Sequence, residues 1–302
     1  MGKLRNLLGA LGIAGSVILN SYAFAQEQLP ETINESSVLT DNGKPVSLQF
    51  RAGSGTISYI GDVKDGLKDV SRRALEDFSL ASDREDSFLI YPQGERVLAL
   101  DVGVSNSKSF SNIEIPAQFL KSRKISDCIL AHNHPDHLEE FVQPYVRHLR
   151  ALASALKKKK DFPYGENPEK NIPPVFDRLK RNARYLGTPG TEDVDVLLNF
   201  SAFSSNKLES RLKPCLMVCN INSGESQGTY TIHQESNTSV NRDTLQGYES
   251  LLDRLYKGEI THTDFLGSLS SIGLRAEFYP SEEKKEFPEK EIRKQLEEAV
   301  SN

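Results

Sequence analysis

Three of the six histidines in this 302-residue chain, His132, His134 and His137, fall within one stretch, ILAHNHPDH. The other three, His148, His233 and His262, are scattered. In a strand, residues i and i+2 point to the same face, so His132 and His134 at a strand end can aim both imidazoles at one point, with Asn133 turned away. Pro135 ends the ladder because it has no N–H to donate. Two convergent imidazoles make a half-site for zinc or another imidazole-seeking divalent ion, and a catalytic zinc site adds a third protein ligand while keeping its fourth position for water. On spacing alone, the same residues also suit a surface turn that happens to hold histidines.

The elements around this stretch must place it. A polar linker from Gln26 leads to strand candidates at Val46–Phe50 and at residues 56–60, separated by Gly53 and Gly55. Residues 62–81 read as one amphipathic helix, with Val63, Leu67, Val70, Ala74, Leu75 and Phe78 on its buried face. SFLIYPQGERVLALDVG reads as a hairpin about Pro92, Gln93 and Gly94, and residues 115–124 as including a short helix. Residues 125–131 then form the buried strand that delivers the histidines. Residues 138–160 are again helical in period, with Pro144 kinking the helix or marking its true start. Its end, Lys157 to Lys160, reads as a solvated helix terminus, with a basic docking patch as the alternative.

DFPYGENPEKNIPP reads as a loop, and a further helix candidate follows TPGTEDVDVLLNF. Two more strands are expected at residues 215–221 and 228–233. From Asp243 onward the chain reads as helical, with Leu251, Leu252, Leu255, Leu266 and Leu269 packing in a core and a charged last segment, PEKEIRKQLEEAV. Strands and helices alternate without a Gly-rich phosphate loop, so the expected class is α/β or α+β.

The run REDSFLIY, a second strand, and then ILAHNHP resembles the RadC-like branch of the JAB/MPN metalloprotein family. That family's motif is a glutamate on or before the first strand, then H-x-H-P, then S-x-x-D. Glu85 matches the glutamate, His132 to Pro135 match H-x-H-P, and PGTEDV resembles P-S-x-x-D. The resemblance implies a cytidine-deaminase-like mixed β-sheet flanked by helices. It implies zinc as cofactor, held by His132, His134 and Asp193. It also implies Glu85 as the base that takes a proton from zinc-bound water and passes it to a leaving amine.

Two departures stand out. Gly190 occupies the serine position, where the family polarises its substrate, although Thr191 beside it could supply a hydroxyl. Roughly sixty positions, instead of a few, separate H-x-H-P from the aspartate. The implied layout is a linker with short strands at 26–60, a JAB/MPN-like domain at 61–242 with an insertion at about 138–186, and a helical C-terminal extension at 243–302. Asp136 and Asp161 are the other candidates for the third ligand, and His137 is expected beside the centre and not on the metal.

The first residues, MGKLRNLLGALGIAGSVILNSYAFAQEQ, have the layout of a secretory signal peptide cut after Ala25, which predicts a periplasmic or secreted protein. Cleavage would remove Lys3 and Arg5 and make the chain two charges more acidic than its formal −5. Such a balance argues against nucleic acid as partner, and no later stretch is apolar enough to span a membrane. If Cys215 and Cys219 share a strand they lie about 13 Å apart, beyond the ~7 Å that a disulfide allows. The leading expectation is an exported zinc metallopeptidase acting on a peptide or isopeptide bond, ubiquitin-like conjugates among the options. The alternative is a catalytically inactive protein of the same fold that binds metal or a partner.

Overall fold

A computed structural model describes residues 46–50, 53–106, 111–113, 128–157, 168–207, 215–235 and 242–301. The expected leader at 1–25, the linker that follows it, the short helix at 115–124 and Lys158 to Lys160 lie outside the described residues.

Apolar strands assemble into one mixed sheet. Its members are β1 (Val46–Phe50), β2 (Gly53–Asp62), β3 (Ser87–Gln93), β4 (Arg96–Asp101), β7 (Ile129–His134), β8 (Cys215–Asn220), β9 (Gly228–Gln234) and β10 (Leu274–Pro280). The order is β1-β2-β4-β3-β7-β8-β9-β10, and a separate hairpin pairs β5 (Gly103–Asn106) with β6 (Ser111–Ile113). Every neighbouring pair is antiparallel except β7 and β8, which run parallel. A parallel pair needs a long crossover. Here the crossover carries α2 (Leu138–Lys157), α3 (Ile172–Ala183) and α4 (Thr191–Lys207).

Alternation along the central strands separates two cores. Leu89, Leu130, Leu216, Val218 and Ile232 face Val194 and Leu197 of α4 together with α5 (Arg242–Tyr256) and α6 (His262–Ser268). Ile90, Ile129, Ala131 and Met217 face the opposite way, against Val70 and Leu75 of α1 (Leu67–Ala81). The result is an α/β sandwich, a mixed sheet with helices on both faces, as the class expected from the sequence. All three cysteines are buried free thiols.

The structure departs from the expected elements at three places. The helix expected from residue 62 is broken at Gly66, whose φ of 86° lies in the left-handed region; a short 3-10 turn, Val63–Asp65, precedes it and leaves Val63 exposed. α2 does start at Leu138, as expected, with Pro144 inside it and not at its start. The expected loop DFPYGENPEKNIPP ends as a 3-10 turn and the opening of α3, because prolines suit a first helical turn that has no N–H partners to lose. The helix expected after TPGTEDVDVLLNF begins inside that stretch, at Thr191. In addition, the C-terminal segment expected to be helical contributes the edge strand β10, paired with β9 from Leu274↔Gln234 to Pro280↔Gly228.

A third core lies under the crossover helices. Leu149 of α2, Phe176 and Leu179 of α3, and Ile292 and Leu296 of α7 (Glu289–Ser301) pack together. The last helix therefore packs on the crossover helices; Glu289 in its first turn pairs with Lys180, and Lys285 just before it pairs with Asp136. Leu296 is fully buried. Leu296→Ala should destabilise the protein by about 2–5 kcal/mol, the usual cost of a large-to-small change that leaves a cavity. Urea unfolding of variant and parent checks this.

Candidate metal centre

β7 is buried along its whole length, held between β3 and β8. Leu130, His132 and His134 share the face that α4 covers, as the period of two requires. The imidazoles converge: His132 Nε2 and His134 Nε2 stand 3.1 Å apart. Asp193, in the first turn of α4, completes the group, with Oδ1 3.1 Å from His132 Nε2 and Oδ2 3.4 Å from His134 Nε2. Three donors bonded at about 2.0–2.1 Å to one tetrahedral ion would stand roughly 3.3 Å from each other. The observed spacings match that requirement, and His132, His134 and Asp193 form a buried group able to hold a metal ion.

Local sequence explains each orientation. Asp193 Oδ2 accepts the Gly190 N–H at 2.6 Å, the return half of a capping box in which the residue three places on reaches back to the helix start. The carboxylate is thereby turned toward β7 and also lies in the favourable field of a helix N-terminus. His134 Nδ1 donates to the Gly187 carbonyl at 2.8 Å, which turns Nε2 toward the group, where it offers a lone pair once its proton is lost.

Gly187 is itself fixed by buried asparagines. With φ of 82° it sits where an added Cβ would fall 2.1 Å from Asn220 Oδ1 and 2.7 Å from Asn222 Nδ2. Asn220 Nδ2 donates to the Leu186 and Ser226 carbonyls, Asn222 Nδ2 donates to the Pro135 carbonyl, and Asn222 Oδ1 accepts the His137 N–H. One network thus joins the loop before α4, the histidine turn and the loop between β8 and β9. From the other side, Tyr248 of α5 donates to the Pro189 carbonyl and Tyr256 to that of Tyr185. α5 thereby braces the ligand loop.

Gly187→Ala should therefore lower metal affinity about 10–100-fold, the usual effect of losing an outer-shell partner, through displacement of the carbonyl that orients His134. Calorimetric titration with zinc measures it.

Charge and burial compete at the group. Burial disfavours a charged His134, but the Asp193 carboxylate, its hydrogen bond, the charge of Glu85 and the Gly187 carbonyl together push the imidazole up to about 9. Burial likewise raises Asp193, yet the two imidazoles hold its carboxyl well below the usual range. A histidine held above its ordinary 6.5 adds stability that is complete below 6.5 and lost as pH rises through about 9. An aspartate held below 3.8 adds stability that is present above 3.8 and lost on acidification. Metal-free protein should accordingly melt at a higher temperature near pH 5.5 than near pH 9.5 or pH 3, as thermal scans in chelator would record. Zinc must displace the His134 proton, so its affinity should rise with pH up to about 9.

The remaining candidates fall into place. Glu85 is buried just before β3, in whose register Ser87 stands opposite His132, and its charge acts on His134. Asp136 is engaged elsewhere: Oδ1 accepts the Leu138 N–H at 3.0 Å at the start of α2, and Oδ2 pairs with Lys285. Asp161 lies outside the described residues. His137 is buried, with Nδ1 3.8 Å from Glu140, and is not part of the ligand group. Thr191 opens α4 beside Gly190. A Cβ at Gly190 would stand 3.6 Å from Asp193 Oδ2 and 3.1 Å from Glu192 Oε2, so Gly190 borders the centre without placing a side chain there.

Fold and site together define a mixed α/β protein with a buried His-His-Asp group suited to a cation. No protein-family model, curated protein or solved structure matches the chain. Among the described residues, no helix is long and apolar enough to cross a membrane.

Proposed function

We propose that this chain is a zinc-dependent hydrolase of peptide or isopeptide bonds that is exported from its cell. The observation that carries the reading is the convergence of His132, His134 and Asp193 at ion-ligating separations, with the buried acid Glu85 close enough for its charge to act on His134. Zinc at such a group would act as a Lewis acid and lower the pKa of a water toward neutrality. Glu85 is the proton acceptor of the reaction and returns the proton to the leaving amine. His134 is kept in one tautomer by the Gly187 carbonyl, and Asp193 is kept in place by the start of its own helix. The JAB/MPN resemblance supports this assignment of roles, and the apolar N-terminal run ending Ala23-Phe24-Ala25 supports export.

The substrate is a peptide or protein. The acidic net charge disfavours nucleic acid, and ubiquitin-like conjugates are one class of isopeptide that fits the reaction. Gly190 favours a second reading, a protein that binds metal without turnover, because the serine position offers no hydroxyl. Metal analysis of the purified chain, combined with a panel of di-glycine-linked isopeptides and bacterial wall peptides, separates the two. The hydrolase reading requires one equivalent of zinc and cleavage of at least one member. Zinc bound tightly with every member intact favours the second reading.

A further inference from the structure

We infer that Asn133, the residue between the two histidines, is a positioning residue that holds Glu85 at the centre. The inference rests on the hydrolase reading for its catalytic consequence, and on geometry for the positioning itself. While His132 and His134 face α4, alternation turns Asn133 to the other side of the sheet, among the residues that pack on α1. There it is completely buried, an expensive place for an amide unless both its ends are bonded.

Both ends are bonded, and to the same short segment. Asn133 Oδ1 accepts the Asp86 N–H at 2.6 Å, and Asn133 Nδ2 donates to the Arg84 carbonyl at 2.9 Å. A third bond runs from the Asn133 N–H to the Asp86 carbonyl at 3.3 Å. The two side-chain bonds grip the peptide groups on either side of Glu85. That segment joins α1 to β3 without regular secondary structure of its own, and Ser82 Oγ also bonds the Arg84 N–H and carbonyl, so side chains and not a strand ladder hold the backbone at Glu85.

The chemistry of the side chain is specific. Gripping a carbonyl and an N–H at once takes one donor and one acceptor on a short stem, which asparagine supplies. Aspartate offers acceptors alone and leucine offers neither. In this arrangement the H-x-H stretch does two tasks on opposite faces of one strand: its histidines hold the ion, and its middle residue sets the base.

The test uses Asn133→Leu and the near-isosteric Asn133→Asp, each alone and combined with Glu85→Gln. Crystal structures of the zinc-loaded single variants should show the ligands in place and the Glu85 carboxylate displaced. Zinc affinity by calorimetry should stay close to the parent value. On a peptide that the parent cleaves, kcat should fall about a hundredfold, as a misplacement of roughly 1 Å can cost, with KM unchanged. In the Glu85→Gln background, the Asn133 change should add no further loss. Glu85 found unmoved in both variant crystals, or losses that add fully in the double variants, would overturn the inference. A parent protein that cleaves no peptide, with Glu85 displaced in the variant crystals, defeats the hydrolase reading and leaves the positioning intact.

Discussion

Asp193→Ala should abolish stoichiometric zinc binding while the protein remains folded. The two histidines would stay on β7, but a pair of neutral imidazoles without a carboxylate offers only half of an open zinc site. The affinity loss should exceed the 10–100-fold typical of outer-shell changes, because a direct ligand and its negative charge both disappear. The fold should survive at reduced stability, since it forfeits one end of a helix cap, a cost of about 0.5–2 kcal/mol, together with the stability that pairing with His134 adds. It also loses a buried charge that the imidazoles offset. His134→Ala should have the same effect on binding. Calorimetry with zinc, supported by circular dichroism, checks both; an Asp193→Ala protein that binds zinc as the parent does would show the third ligand to be another residue.

Glu85→Gln should retain zinc and lose turnover by about 10²–10⁴-fold, the range expected when a general base is removed. The substitution keeps the size and removes both the capacity to accept a proton and the negative charge that acts on His134. Glu85 stands beside the ligand group and is not part of it, so metal content should be unchanged. Against a peptide cleaved by the parent, kcat should carry the loss and KM should change little. Full activity in this variant would remove Glu85 from the mechanism.

The legible part of this protein was its local periodicity. Leu130, His132 and His134 fall on one face by strand geometry alone, and their convergence followed directly. Asp193 was found through PGTEDV, whose spacing has a physical meaning: the same four-residue pattern is a helix-starting box in which the acid turns back. Gly187, Asn220 and Asn222 were not legible. They act through contacts that close only when the loop before α4 meets the β8–β9 loop, and in the sequence Asn220 falls within an expected strand and Asn222 between two of them. Tyr248 and Tyr256 carried the same ambiguity, since aromatic residues at helical spacing mark a core wherever they occur. β10 was missed for a different reason. Leu274, Ala276 and Phe278 do alternate with Arg275 and Glu277, but the signal spans five residues between helical segments, and an edge strand is half exposed and charged.

The central claim is that one divalent ion is shared by two imidazoles of β7 and a carboxylate of α4. Anomalous diffraction at the zinc edge from crystals of the zinc-loaded protein tests it most directly. The predicted result is a single strong peak about 2.0–2.1 Å from His132 Nε2, His134 Nε2 and an oxygen of Asp193. A zinc peak at other residues, or one on the histidines with Asp193 turned away, would contradict it.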